Sequence, residues 1–392
     1  MPSFAVKIYG RSYFYVFGLL CLLASQSDAS KLFVSNERDN TVAVLDGGSF
    51  KLIKIIPVGE RPRGIVITPD YREVLVCNGD ADAITIIDAD TLTVTRTLDT
   101  GPDPETLALS PSGELIYVSN ENDSMVTVLE KKTGKVLVRV PVGIEPEGLA
   151  VSRDGKTVVD VSESTSMAHF IDTQSWKVVA NVLVDTRPRI VEYTPDQRQI
   201  WVTSEVGGTV SIIDAASRKI IHTIGFEIAG MRPELITPVG VRFTSDGRTA
   251  LVALGRANHV AVIDTASYAL KRSLLVGQRV WQLALSADGD RLYAVNGLTN
   301  DISVIDVPNL KTLITVPVGR LPWGVAVKPR GLFAYCAPAN RECSNVLVSH
   351  PGESSRFILV GCWSMARTMF PARSVCSNLR PSWRPQRPLA TC

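Results

Sequence analysis

The sequence predicts an all-β chain: a seven-bladed β-propeller of four-stranded antiparallel blades, closed by pairing of the N- and C-terminal strands of its repeated region. Three observations predict it. A segment of 42 residues recurs along most of the chain. Each copy holds four short runs of alternating, β-branched-rich residues, separated by Gly, Asn, Asp or Pro. The repeated region also begins and ends out of phase with its own unit, so its two ends complete one blade.

The period is read from the turn after the first run (run A) of each unit. The turns are "TPDYRE" at Asp70, "SPSGEL" at Ser112, "SRDGKT" at Asp154, "TPDQRQ" at Asp196, "TSDGRT" at Asp246 and "SADGDR" at Asp288. These anchors lie 42 apart, except that Asp196 and Asp246 are separated by 50. One unit reads "LIYVSN" (run B, 115–120), "MVTVLE" (run C, 125–130), "KVLVRV" (run D, 135–140) and "EGLAVS" (run A, 147–152). Four β-type runs in about 40–45 residues make a propeller blade. A helical repeat of that length needs apolar spacing near 3.6, which is absent.

Run C ends on an acid in every unit: Asp46, Asp88, Glu130, Asp172, Asp214, Asp264 and Asp306. A carboxylate there accepts backbone N–H groups of the following turn, a structural role. At the start, "KLFVSN" (31–36) is a B run with no A run before it. At the end, "PWGVAVKP" (322–329) is an A run whose own B run is missing. Joined, they close the ring and leave no unpaired terminal edge.

Outside 30–329 the composition changes. Residues 1–29 carry Lys7 and Arg11, the apolar "SYFYVFGLLCLLA" (12–24), and small residues before a cut after Ala29, the pattern of a signal peptide. The run is too short for a spanning helix of about 20 residues, so export to a periplasm or cell surface is expected. The tail, 330–392, is rich in Cys, Arg and Pro and is expected to be disordered or a decayed extra repeat. With 45% hydrophobic and 20% charged residues, the chain has the material for a packed core. A formal net charge of +2 speaks against nucleic acid as a partner.

The runs "YVSN" (117–120) and "VIDT" (262–265), with the "PVG–P–G" segments, resemble the YVTN-type β-propeller repeat. The longer unit containing "FEIAGMRPELITPVGVRF" (226–243) and the closing "RLPWG" resemble the β-propeller proteins associated with PQQ-dependent catabolism. The resemblance covers about residues 31–329. It implies an exported, non-enzymatic protein encoded beside quinoprotein alcohol-oxidation systems.

In a propeller, the D–A and B–C connections share the face around the axial channel. The D–A connections are the "VG-x-x-P-x-G" segments. Just before run A stand Arg63, Glu105, Glu147, Arg189, Val239, Trp281 and Trp323. Slightly earlier stand Arg61, Asp103, Glu145, Arg187, Ile236, Arg279 and Leu321. The scaffold is uniform and these positions vary, which marks them as a candidate binding mouth. Asp103, Glu105, Glu145 and Glu147 form an acidic arc. Arg61, Arg63, Arg187 and Arg189 flank it, and Arg279, Trp281 and Trp323 lie opposite. One reading is a mouth for a flat carboxylate-bearing molecule or a partner's peptide loop, held by Arg forks and Trp faces. The other is that the charges pair around the ring and the Trp side chains plug the channel.

No H-x-H, H-E-x-x-H, G-x-S-x-G or Walker pattern occurs, so no catalytic residue is assigned. No cofactor is expected, with PQQ or Ca²⁺ as options; "DAD" (80–82) and "NEND" (120–123) offer oxygen ligands for Ca²⁺. Expected partners are a protein or a small carboxylate-bearing ligand, a quinoprotein dehydrogenase, a cytochrome c or a solute-binding protein among the proteins, and a monomeric chain is expected. Two alternatives stay open: a metal-dependent lactonase-type hydrolase using the mouth acids, and a surface adhesive or structural propeller.

Overall fold

The computed structural model describes residues 30–330. The signal peptide expected over 1–29 and, beyond Arg330, the expected tail lie outside the described residues. Within them, 28 strands form seven four-stranded antiparallel sheets. Blade one is Pro322–Lys328, Lys31–Asn36, Thr41–Asp46 and Leu52–Pro57, from the axis outward. Blade two follows as Pro62–Ile67, Glu73–Asn78, Ala83–Asp88 and Thr93–Asp99. The inner strands of blades three to seven are Pro104–Leu109, Pro146–Val151, Pro188–Tyr193, Val241–Phe243 and Val280–Leu285.

The ring closes as the sequence predicts. Lys31, Leu32, Phe33 and Val34 pair with Lys328, Val327, Ala326 and Val325. The core lies in seven seams between adjacent sheets, each with its own apolar cluster. The alternation of runs B and C supplies both seams, because successive side chains point to opposite faces. Each Val, Leu or Ile buried this way contributes about 1.5–3 kcal/mol. The seam between blades five and six holds Trp201, the largest fully buried side chain among the described residues. Trp201 sits edge-on to Phe243 there, with ring centroids 5.2 Å apart.

The eight extra residues before blade six are anchored in that same seam. Phe226 and Ile236 are buried in it, and Ile228 and Met231 pack against it. The insertion is thus a packed wall on the D–A side. The acids ending run C act as turn acceptors. Asp46 Oδ1, for example, takes the N–H of Ser49 at 2.6 Å and of Gly48 at 3.1 Å. Asp88, Asp172, Asp214, Asp264 and Asp306 do likewise.

Seven sheets converging on an axis leave little room between inner strands. A Cβ at Gly64 would lie 2.7 Å from Glu105 O, and one at Gly240 2.6 Å from Trp281 O. Gly148 and Gly324 meet the next blade in the same way. Where the position is Thr106, its hydroxyl donates to Glu147 O across the seam instead. Gly64→Ala is therefore expected to lower unfolding free energy by about 1–3 kcal/mol in urea titration. Gly225→Ala, with nothing within 4 Å of its new methyl, should stay within about 0.5 kcal/mol of the parent.

Candidate functional site

The mouth residues occupy two positions that recur from blade to blade. The first is a left-handed residue just before the inner strand. Arg61, Asp103, Glu145, Arg187, Arg279 and Leu321 all have φ between 49° and 59°. Such backbone is uncommon for non-glycine residues and needs support from its surroundings. In four of the six, a hydrogen bond to the preceding blade supplies it. The N–H of Arg61 donates to Asn40 Oδ1 (3.0 Å) and that of Asp103 to Asp82 Oδ1 (3.0 Å). Arg279 donates to Asn258 Oδ1 (2.8 Å) and Leu321 to Asn300 Oδ1 (2.9 Å). Each acceptor is itself a left-handed residue of a B–C turn. In blade six the position belongs to Thr237 rather than Ile236, because Thr237 precedes Pro238 as Arg61 precedes Pro62. Thr237 Oγ1 accepts the N–H of Arg256 at 2.8 Å.

The second position lies inside the inner strand, not before it as the sequence suggested. Arg63, Glu105, Glu147, Arg189, Trp281 and Trp323 are each the second strand residue. Each sits at a β-bulge. Pro62 pairs with Asn78 and Ile65 with Val76, so Arg63 and Gly64 oppose Cys77 alone. Equivalent register shifts hold Glu105, Glu147, Arg189, Trp281 and Trp323. A bulge re-aims the side chain at the extra residue, and here it brings these side chains into one network.

That network is cross-paired between blades. Arg63 bonds Glu105 Oε2 (2.6 Å) and Glu37 Oε2 (3.2 Å). Arg61 reaches Asp80 (2.7 Å), Glu105 (3.0 Å) and Asp103. Across the mouth, Arg189 contacts Glu147 (3.3 Å), Glu205 (3.5 Å) and Glu163. Arg187 joins Glu163 (2.6 Å), and Arg279 joins Glu205 (2.6 Å). Glu145 stands apart from the guanidiniums and accepts the Ser164 hydroxyl. Trp281 and Trp323 stack with centroids 6.5 Å apart. The Arg279 guanidinium lies 3.9 Å from the Trp281 ring centroid and that of Arg189 5.4 Å. Trp323 is 2% exposed, so it offers no open face for stacking while the pair is closed.

Carboxyls outnumber guanidiniums here, and their proton affinities show it. Burial raises Glu105, but the charges of Arg63 and Arg61 and a hydrogen bond from Glu121 win, leaving it below the usual range. Burial, and then the bond to ionised Glu105, push Glu121 up to about 8. Glu147 rises to about 7 by burial, against Arg189 and with Glu105 adding to the rise. Asp160 also rises to about 7 by burial, although Ser119 and Ser162 donate to it and pull the other way.

Glu37, Glu163 and Glu205 were not among the candidates, and Glu121 stood there only as part of the "NEND" turn. They are the first residues after run B, 42 apart from Glu121 onward, and that spacing was a usable signal. In three blades the position is glycine. At Gly79 a Cβ would overlap the Arg61 guanidinium, and at Gly297 it would lie 2.6 Å from Trp281 Nε1. Glycine there makes room for a large neighbour. Asp160 stands where the other blades have Val34, Val76, Val118, Val202, Val252 and Ala294, an exception visible only once the units are aligned.

Among the described residues, Asp103, Glu105 and Glu121 bring three carboxylates within 4.8 Å of one another. Arg61 already contacts two of the three. The "DAD" turn offered for Ca²⁺ is engaged as well, Asp80 with Arg61 and Asp82 with the N–H of Asp103.

Family models match two stretches of the chain: a YNCE-like β-propeller over residues 18–122 and a cytochrome D1 heme domain over 157–276. No curated protein matches. Among solved structures, Kuenenia stuttgartiensis hydrazine synthase is similar with a TM-score of 0.66 at 22% identity, over 71% of this chain and 93% of that one. A functionally unknown protein from Desulfotomaculum acetoxidans gives 0.65 at 15% identity, over 77% and 99%. The chain is a seven-bladed propeller, and these similarities agree on that fold.

The buried acid at Asp160 carries a pH signature. Its folded value of about 7 lies above the unfolded aspartate range. Below about pH 4 both states hold the proton. Between there and about pH 7 the unfolded chain releases it first, so stability falls as pH rises through that window. Asp160→Asn should be near neutral at pH 4 and raise unfolding free energy by about 1–3 kcal/mol at pH 8, read by urea titration at both pH values.

Proposed function

We propose that this chain is an exported, non-enzymatic propeller that binds a protein partner through the rim of its channel mouth, within PQQ-dependent alcohol oxidation. One observation carries the reading. The mouth side chains are already locked by ion pairs between blades, so little side-chain freedom remains to be lost on association. Around this locked centre, Asp80, Arg187 and Arg320 keep half or more of their side-chain surface exposed. A rim of mixed charge on a rigid base steers a complementary surface and rejects others. The YVTN-type repeat and the match to a YNCE-like β-propeller support the scaffold part. The PQQ setting, export and a monomeric state rest on the sequence resemblance and the leader pattern.

The match to a cytochrome D1 heme domain raises haem as a ligand. The mouth does not fit an axially held haem. Its network is built from Arg, Asp, Glu and Trp, none of them an axial ligand type. His169 has both ring nitrogens engaged, by Asn181 and by the N–H of Gly143.

The test is surface plasmon resonance of the mature chain against a purified quinoprotein dehydrogenase, cytochrome c and solute-binding protein of the same cell. We expect salt-sensitive binding to one of them, weakened at least tenfold by Arg187→Glu. Binding to none, or equal binding by the variant, sinks the reading. The clustering of Asp103, Glu105 and Glu121 favours one rival, a metal-dependent hydrolase. Elemental analysis separates the two: a stoichiometric divalent metal that is lost in Glu121→Gln would replace the scaffold reading.

A further inference from the structure

Trp323 also lines a cavity of about 70 Å³ on the axis. That is space for about five water-sized occupants. Its walls are inner-strand residues from all seven blades. Leu107, Leu149 and Val325 are among its apolar lining residues. Trp323 and Gln282 line it as well, from neighbouring blades one and seven.

Both of these side chains are more than nine-tenths buried. Neither Trp323 Nε1 nor Gln282 Nε2 has a hydrogen-bond partner. An indole N–H can only donate, so the partner that suits it is an acceptor. Buried donors are rarely left unmatched. Two such donors on neighbouring blades suit a group with two acceptor oxygens, and a carboxylate supplies them. Arg242 and Glu192 also line the cavity as an ion pair, with Arg242 Nη1 bonded to Glu192 Oε2 (3.1 Å) and Val241 O (2.8 Å).

We propose that this cavity binds a small aliphatic carboxylate, its oxygens accepting from Trp323 Nε1 and Gln282 Nε2 and its chain lying along Leu107, Leu149 and Val325. The site is separate from the exposed rim, and does not depend on a protein partner there. Apolar walls with a few convergent polar groups are the usual make-up of a small-molecule pocket.

The experiment follows the tryptophan indole N–H resonances of the ¹⁵N-labelled mature chain by NMR. Trp323→Phe identifies the Trp323 signal. Sodium butyrate is titrated against n-butanol and against sodium chloride at equal ionic strength. The expected result is a saturable shift of the Trp323 signal with butyrate alone. Gln282→Leu should weaken that titration at least tenfold, and Arg198→Ala, in an exposed turn, should leave it unchanged. No saturable shift, or the same shift with chloride, overturns the proposal. So does a Trp323 signal that ignores butyrate yet moves in Gln282→Leu, which would make the Gln282 oxygen its acceptor. Should Trp323→Phe fail to fold, the butyrate response of the parent and of Gln282→Leu still decides the matter.

Discussion

Everything at the mouth depends on the ring being closed. The antiparallel pairing of Lys31–Asn36 with Pro322–Lys328 joins the ends of the repeated region in one sheet. Closure forces seven inner strands toward a common axis, where their backbones come closer than side chains allow. The chain answers with glycine at Gly64, Gly148, Gly240 and Gly324, and with hydroxyls that bond the next blade. Ser35 donates to Arg63 O at 2.7 Å and Thr203 to Val239 O at 2.6 Å. Without closure, neither the seams nor the mouth would have fixed dimensions.

Convergence also explains the electrostatics. Side chains from different blades, distant in sequence, meet in a space too small for each to keep its own water. Burial then favours neutral forms, and at Glu105 and Glu205 the neighbouring guanidiniums outweigh it. Glu105, between Arg61 and Arg63, remains a carboxylate, whereas Glu121 beside it keeps a proton. Removing one partner of such a pair leaves an uncompensated buried charge, which is far more disruptive than the pair itself is stabilising. The network therefore acts as a brace for the loops as much as a surface for a ligand.

Irregularity is confined to places where the scaffold can absorb it. The extra residues before blade six are held by Phe226 and Ile236 in the seam around Trp201. The polar intrusion at Asp160 is met by Ser119 from the neighbouring sheet and by Ser162. Both departures adjoin the mouth side of the molecule, where connections vary while strands do not.

The sequence by itself determined the number of blades, the four-strand unit, the turn role of the run-C acids and the closing strand. Each of these rests on local periodicity or local hydrogen bonding, which a repeat displays many times over. It also singled out Arg61, Arg63, Arg187, Arg189, Arg279, Trp281 and Trp323 by their variation against a constant frame. Tertiary structure alone decided what they touch. The bulge that aims Arg63 and Trp281 needs a paired strand to exist, so no single run reveals it. The left-handed turn that orients Arg61 is set by Asn40, a residue of the previous blade. The partners Glu37, Glu163 and Glu205, and the stacking of Trp281 on Trp323, arise only when closure brings separate repeats to one axis.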